Sequence, residues 1–222
     1  MLILPKPKKV QALERTVVDT NWITILLVVL LGCVFLLKGL SITRLKGNVF
    51  SIINNSFIET EIEENFSFFN LFKSVIFLFS MSVLSLLAYK ILLFYTVLVE
   101  AGFCTFLKIL GIIFSYFTIK WLLEFLLSLL FKIDKQVKIF IFSKSSYLYS
   151  LSFILLIGIV LVQYSELNTG FLVYFSVFLF LIRFILLVAR NKKLVFSELF
   201  YFILYLCAFQ IAPLFILFKL LF

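Results

Sequence analysis

The chain has 222 residues, of which 64% are hydrophobic and only 14% charged, with a formal net charge of +9. A soluble domain runs about 45–50% apolar and about 25% charged, and the mean hydropathy here is +1.21. No water-soluble core could bury this much apolar surface in so short a chain, so the solvent of the fold is lipid.

The positive charge lies between apolar runs and not on a polar domain, a pattern of membrane threading that excludes a nucleic-acid surface. There is no histidine, which removes histidine-ligated haem, histidine zinc sites and the usual general base. Cys33, Cys104 and Cys207 fall in or beside apolar runs and form no CxxC pair, so they read as small packing residues and not as a disulfide framework. Phenylalanine occurs 31 times. Two readings stand: lipid-facing filler, or an aromatic lining for a hydrophobic ligand.

Residues 1–21 form a polar entry with Lys6, Lys8, Lys9 and Arg15, and Pro5 and Pro7 oppose a helix there. The first span covers about 22–40. A basic stretch before an apolar run resembles a leader, but no small-residue cleavage pattern follows, so an uncleaved span is expected. Residues 41–66 are too polar to cross. Ile42, Leu45, Val49, Ile53 and Phe57 recur at helical spacing, while Arg44, Lys46, Asn48, Asn55 and Glu59 fall largely on other faces. This predicts an amphipathic helix in the headgroup plane. It is read either as a solvated linker or as a docking surface for a partner.

The second span is placed at about 75–93 and the third at 105–130, with Ala101-Gly102 helping the turn between them. Ending the third at Leu130 rather than Ile119 puts Lys120 and Glu124 inside the membrane, one helical turn apart. The next connection carries Lys132, Lys135 and Lys138 at i, i+3, i+6, and also Lys144. The first three suit anionic headgroups. The fourth span covers about 147–162, the fifth 171–189 and the sixth 199–217. Arg183 lies within the fifth, and Arg190, Lys192 and Lys193 follow it as further headgroup contacts. Gln210 and Pro213 interrupt the sixth, where Pro213 kinks the helix and frees a backbone carbonyl. The expected fold is an all-α integral membrane protein with about six transmembrane helices and one interfacial helix between the first two, residues 22–222 forming a single domain.

Six spans place Lys38, Arg44, Lys46, Lys73, Lys132, Lys135, Lys138, Lys144, Arg190, Lys192 and Lys193 on one side, eleven cations in all. The other side holds at most seven: Lys6, Lys8, Lys9, Arg15, Lys90, Lys108 and Lys219. The positive-inside rule then puts both termini outside, in the periplasm for an inner-membrane protein. The basic N-terminus opposes this arrangement. An ionisable group at mid-span costs roughly 2.5–3.5 kcal/mol on insertion scales, so Lys120, Glu124, Arg183 and Gln210 are expected to form one intramembrane polar cluster, with Glu124 paired to Arg183 or Lys120. The cluster is either a clamp fixing helix register or a substrate or proton site at mid-membrane depth.

The run Tyr205-Leu206-Cys207-Ala208-Phe209-Gln210-Ile211-Ala212-Pro213-Leu214, closed by Phe218-Lys219-Leu220-Leu221, resembles the ending of a domain-of-unknown-function family, DUF4271, of small polytopic inner-membrane proteins of Bacteroidota. Asn21-Trp22 at the first span and Phe142-Ser143-Lys144 before the fourth are similar to the family as well. The family often has Glu where this chain has Gln210, which weakens a proton-carrier role there. The resemblance implies location and fold and no activity.

No glycine-rich phosphate loop or nucleophile elbow is present, so no enzyme and no cofactor are expected. What remains is a non-catalytic inner-membrane subunit or assembly factor with membrane-protein partners, or a small transporter or lipid-handling protein built on the polar cluster.

Overall fold

The computed structural model describes residues 21–51, 71–95, 102–130, 135–165 and 167–190 together with Lys219; within these, the side chains of 121, 123–130, 135–141 and 190 lie outside the description. Hydrocarbon offers backbone groups no hydrogen bonds, so a chain this apolar must satisfy its N–H and C=O groups within each segment, as a helix does. Among the described residues there are six helices and no strand: α1 (Asn21–Leu40), α2 (Ile42–Val49), α3 (Leu71–Tyr95), α4 (Phe103–Leu130), α5 (Lys135–Tyr164) and α6 (Thr169–Arg190). All but α2 are long and apolar enough to cross a bilayer, since about 20 residues at 1.5 Å rise match a core roughly 30 Å thick. The protein is therefore an all-α membrane protein. Five of the six expected spans are described, and the sixth, at 199–217, lies outside the described residues.

The ends of the helices have local causes. Ser41 is extended (φ −166°, ψ 104°) and its hydroxyl accepts from the Arg44 N–H, so it caps α2 as α1 stops. The Gly102 carbonyl accepts from the Phe106 N–H at 3.3 Å, opening α4 at the expected turn. Asn168 starts α6, its side-chain oxygen taking the Gly170 N–H at 3.2 Å. α4 runs as one helix to Leu130, and its apolar stretch covers Phe103–Lys120 among the described residues. The fourth span begins earlier than its expected start at Tyr147. Residues 135–146 contain no glycine or proline to stop a helix, so α5 runs unbroken from Lys135.

α3 is the centre of the bundle, touching α1, α4, α5 and α6. Of the apolar stretches in α3 and α5, 61% is buried, against 17–22% for α1, α4 and α6. The first two are thus the interior pair, and the others turn most of their surface outward. Fully buried Ser80, Ser85 and Ser152 let the inner helices approach closely. The Ser85 and Ser152 hydroxyls donate back to the carbonyls of Met81 and Leu148, which satisfies them within their own helices. Between α5 and α6 the close approach is at Gly158, where a Cβ would meet the Phe175 ring at 3.1 Å.

Successive helices alternate in direction. At one end Trp22 of α1 meets Tyr89 of α3 (5.2 Å between ring centroids) and Phe103 and Phe106 of α4 (5.7 and 5.3 Å). At the same end Lys90 donates to the Gln163 side chain at 2.6 Å. This aromatic end suits a membrane interface. At the other end Leu37 of α1 packs with Phe72 and Ile76 of α3, and Leu45 of α2 and Tyr149 and Phe153 of α5 close over them. That end carries Lys73, Lys144 and the C-terminal half of α6, and is called here the basic end.

Replacing Gly158 by leucine should push α6 off α5 and cost about 1–3 kcal/mol. Gly111→Ala, at a site with nothing within 4 Å, should be neutral or stabilising by up to about 1 kcal/mol. Unfolding in detergent micelles measures both.

Candidate functional site

The polar groups collect at the basic end. Arg183 lies two-thirds of the way along an otherwise apolar α6. It is partly buried, and its Nη2 donates to the Lys144 main-chain carbonyl of α5 at 3.0 Å. That carbonyl sits in a helix, but an oxygen with two lone pairs can take a second donor. The Arg183 Nε is buried with no hydrogen-bond partner. Tyr116 of α4 lies within electrostatic reach of the guanidinium. The Tyr116 ring has Lys120 Nζ 5.7 Å from its centroid, and Lys73 Nζ stands at the same distance from the Phe142 ring, joining α3 to α5. Four helices thus bring Lys73, Lys120, Lys144 and Arg183 to one end of the bundle.

Lys144 stands five residues before Tyr149, which packs with Leu37 near the end of α1 and Phe72 near the start of α3, so Arg183 meets α5 at that end of the bundle. The helix of α5 continues back to Lys135, which gives the Arg183 side chain a main-chain carbonyl to reach.

Next to Lys144, α2 is fastened to α5 by a set of polar contacts. The Asn48 side chain donates to the Arg44 carbonyl at 2.9 Å and accepts from the Ser146 hydroxyl at 3.0 Å. The Ser51 hydroxyl donates to the Asn48 carbonyl (2.9 Å) and also lies 3.3 Å from the Ser146 carbonyl. The Ser150 hydroxyl donates to the Val49 carbonyl at 2.6 Å. The last carbonyls of any helix lack intrahelical donors, and here serine hydroxyls supply them. An eight-residue helix has too few turns to hold itself in isolation, so these contacts and Leu45 keep α2 in place. This corrects the expected orientation of that helix. Asn48 is its buried position and Ile42 is exposed, because partners on α5 make burial of an amide favourable. Within the expected interfacial stretch 41–66, the helix covers 42–49, and 52–66 lie outside the described residues.

Of the expected cluster, Lys120 stands over the Tyr116 ring, and Tyr116 lies within electrostatic reach of Arg183. Glu124 is on α4 one turn beyond Lys120, with its side chain outside the description, as are those of Lys135 and Lys138 in the first turn of α5 and of Arg190 at the end of α6. Gln210, Pro213, Lys132, Lys192 and Lys193 lie outside the described residues. Sequence reading missed Asn48, Ser51, Ser146 and Ser150. A signal was present: Ser143, Ser146 and Ser150 recur at i, i+3, i+7 in an apolar run, one helix face with hydroxyls to spend.

Removing either Asn48 or Ser146 should lower stability, and the double-mutant cycle of Asn48→Ala with Ser146→Ala should show a coupling of about 0.6–1.7 kcal/mol, the range found within membranes. Ser82→Ala, whose exposed hydroxyl bonds only to its own helix, is the control that should leave unfolding in micelles unchanged.

The family model for the Domain of unknown function (DUF4271) matches residues 23–221. Nothing among curated proteins or solved structures matches the chain. The chain belongs to the DUF4271 family.

Proposed function

We propose that this DUF4271 protein is a non-catalytic subunit or assembly factor that packs against a larger membrane-protein complex. The observation that carries the reading is on α1. Its outward face presents Ile25, Val28, Phe35 and Leu36, and interleaves Gly32 and Gly39, at which an added Cβ would meet nothing within 4 Å. Glycine at i and i+7 in an apolar span exposes backbone for the close approach of another helix, and in lipid such approach is what drives association. Among the described residues nothing packs against these two glycines. Membrane partners fit this surface; a nucleic acid does not.

The test is co-purification from native membranes in mild detergent. A stoichiometric partner that is retained by the parent chain and lost from Gly32→Ile/Gly39→Ile supports the subunit reading, since open space around both glycines leaves the fold unaffected. A lone monomer from both chains defeats it. A second reading, a small transporter or lipid-handling protein, is favoured by the buried Nε of Arg183; a monomer carrying lipid or solute is its outcome.

The proposed setting is the inner membrane, with the basic end cytoplasmic and both termini periplasmic. The native Cys104 is exposed near the start of α4, at the aromatic end, and Lys46 is exposed at the basic end. In a chain lacking Cys33 and Cys207, a membrane-impermeant maleimide applied to intact spheroplasts should label Cys104 at once. After Lys46→Cys with Cys104→Ser, labelling should require permeabilisation. The reverse pattern inverts the topology.

A further inference from the structure

The geometry points to a binding site for a phosphate group at the basic end, between α4, α5 and α6, with the Arg183 guanidinium as its recognising element. The most direct source of that group is the headgroup of an anionic phospholipid. The inference does not rest on a protein partner, and the pull-down can fail while this site stands.

Three observations lead to it. First, Arg183 spends only part of its donor set. It has five N–H groups in a planar fork; its bond to the protein runs from Nη2 to the Lys144 carbonyl at 3.0 Å, and Nε is out of water with no acceptor. Nε together with a neighbouring terminal nitrogen is the pair that a phosphate takes with two oxygens. Second, the bond it makes is to a neutral carbonyl, which orients the guanidinium and leaves its charge for a ligand. Lys144, Lys120 and Lys73 add positive charge from three other helices at the same end. A single cation near an anionic surface is worth about fivefold in affinity. Third, the depth is right. Lys144 stands five residues before Tyr149, which packs against Leu37 near the end of α1 and Phe72 near the start of α3, so the group lies where two spans end and headgroups are expected, and the Arg183 side chain is only partly buried. A fully internal clamp would bury the residue entirely and satisfy Nε from a neighbouring helix.

The site differs from the lysine row at Lys132, Lys135 and Lys138, which would attract any anionic surface diffusely. Here one guanidinium is oriented by the Lys144 carbonyl, with the Tyr116 phenol within electrostatic reach.

The test uses the full chain reconstituted in vesicles of equal phosphatidylcholine and phosphatidylglycerol, re-extracted in mild detergent, with retained lipid counted by native mass spectrometry. The parent chain should retain phosphatidylglycerol over phosphatidylcholine. Arg183→Gln should cut that preference about fivefold or more, and Lys120→Gln, at the rim, by about fivefold. Should Arg183→Gln fail to accumulate, Lys120→Gln alone carries the decision. Adding inorganic phosphate separates the sources. Competitive release of phosphatidylglycerol assigns the site to a phosphate group in either form, and resistance to release assigns it to the lipid headgroup. Equal retention of the two lipids by the parent chain, or a preference unchanged by Lys120→Gln in a folded protein, overturns the site.

Discussion

In hydrocarbon a polar atom has no water to fall back on, and each one left without a partner costs several kcal/mol. That constraint accounts for more of this protein than any other. It makes each crossing a helix, so that backbone groups are satisfied before the helices meet. It returns the hydroxyls of Ser85 and Ser152 to carbonyls of their own helices. It sets the hydroxyls of Ser51 and Ser150 on the last carbonyls of α2. The same rule makes the Nε of Arg183 and the Ser80 hydroxyl stand out as the buried side-chain polar atoms without a partner among the described residues.

The packing that results is unequal. α3 and α5 are enclosed by their own chain, with serine and glycine at the points of closest approach, while α1, α4 and α6 face outward. Apolar surface facing lipid costs nothing, so outward leucine and phenylalanine need no explanation. Outward glycine is different, because it gives up both helix propensity and contact area. Gly32 and Gly39 on α1 therefore carry more information about association than the exposed aromatic residues that surround them.

The two ends of the bundle are chemically distinct. At one, Trp22, Tyr89, Phe103 and Phe106 form an aromatic group, with a lysine held by a glutamine side chain beside it. At the other, cations from four helices gather beside the contacts that fasten α2 to α5. Placing Arg183 against a main-chain carbonyl at that end lowers the cost of an arginine in a span, since the guanidinium gains an acceptor there.

Composition and hydropathy alone determined that the chain lies in a membrane as helices, how many apolar runs it has and where most of them start and stop. They did so because transfer to lipid is a property of each segment taken separately. The basic residues that mark one end were also legible, since threading is read segment by segment. Tertiary structure decided what lies beside what: that Asn48 turns inward and Ile42 outward, that α5 continues through its lysine-rich start, and that Arg183 meets the backbone of Lys144. Those outcomes depend on partners supplied by other helices, and the polarity of a residue carries no record of the neighbour that will satisfy it.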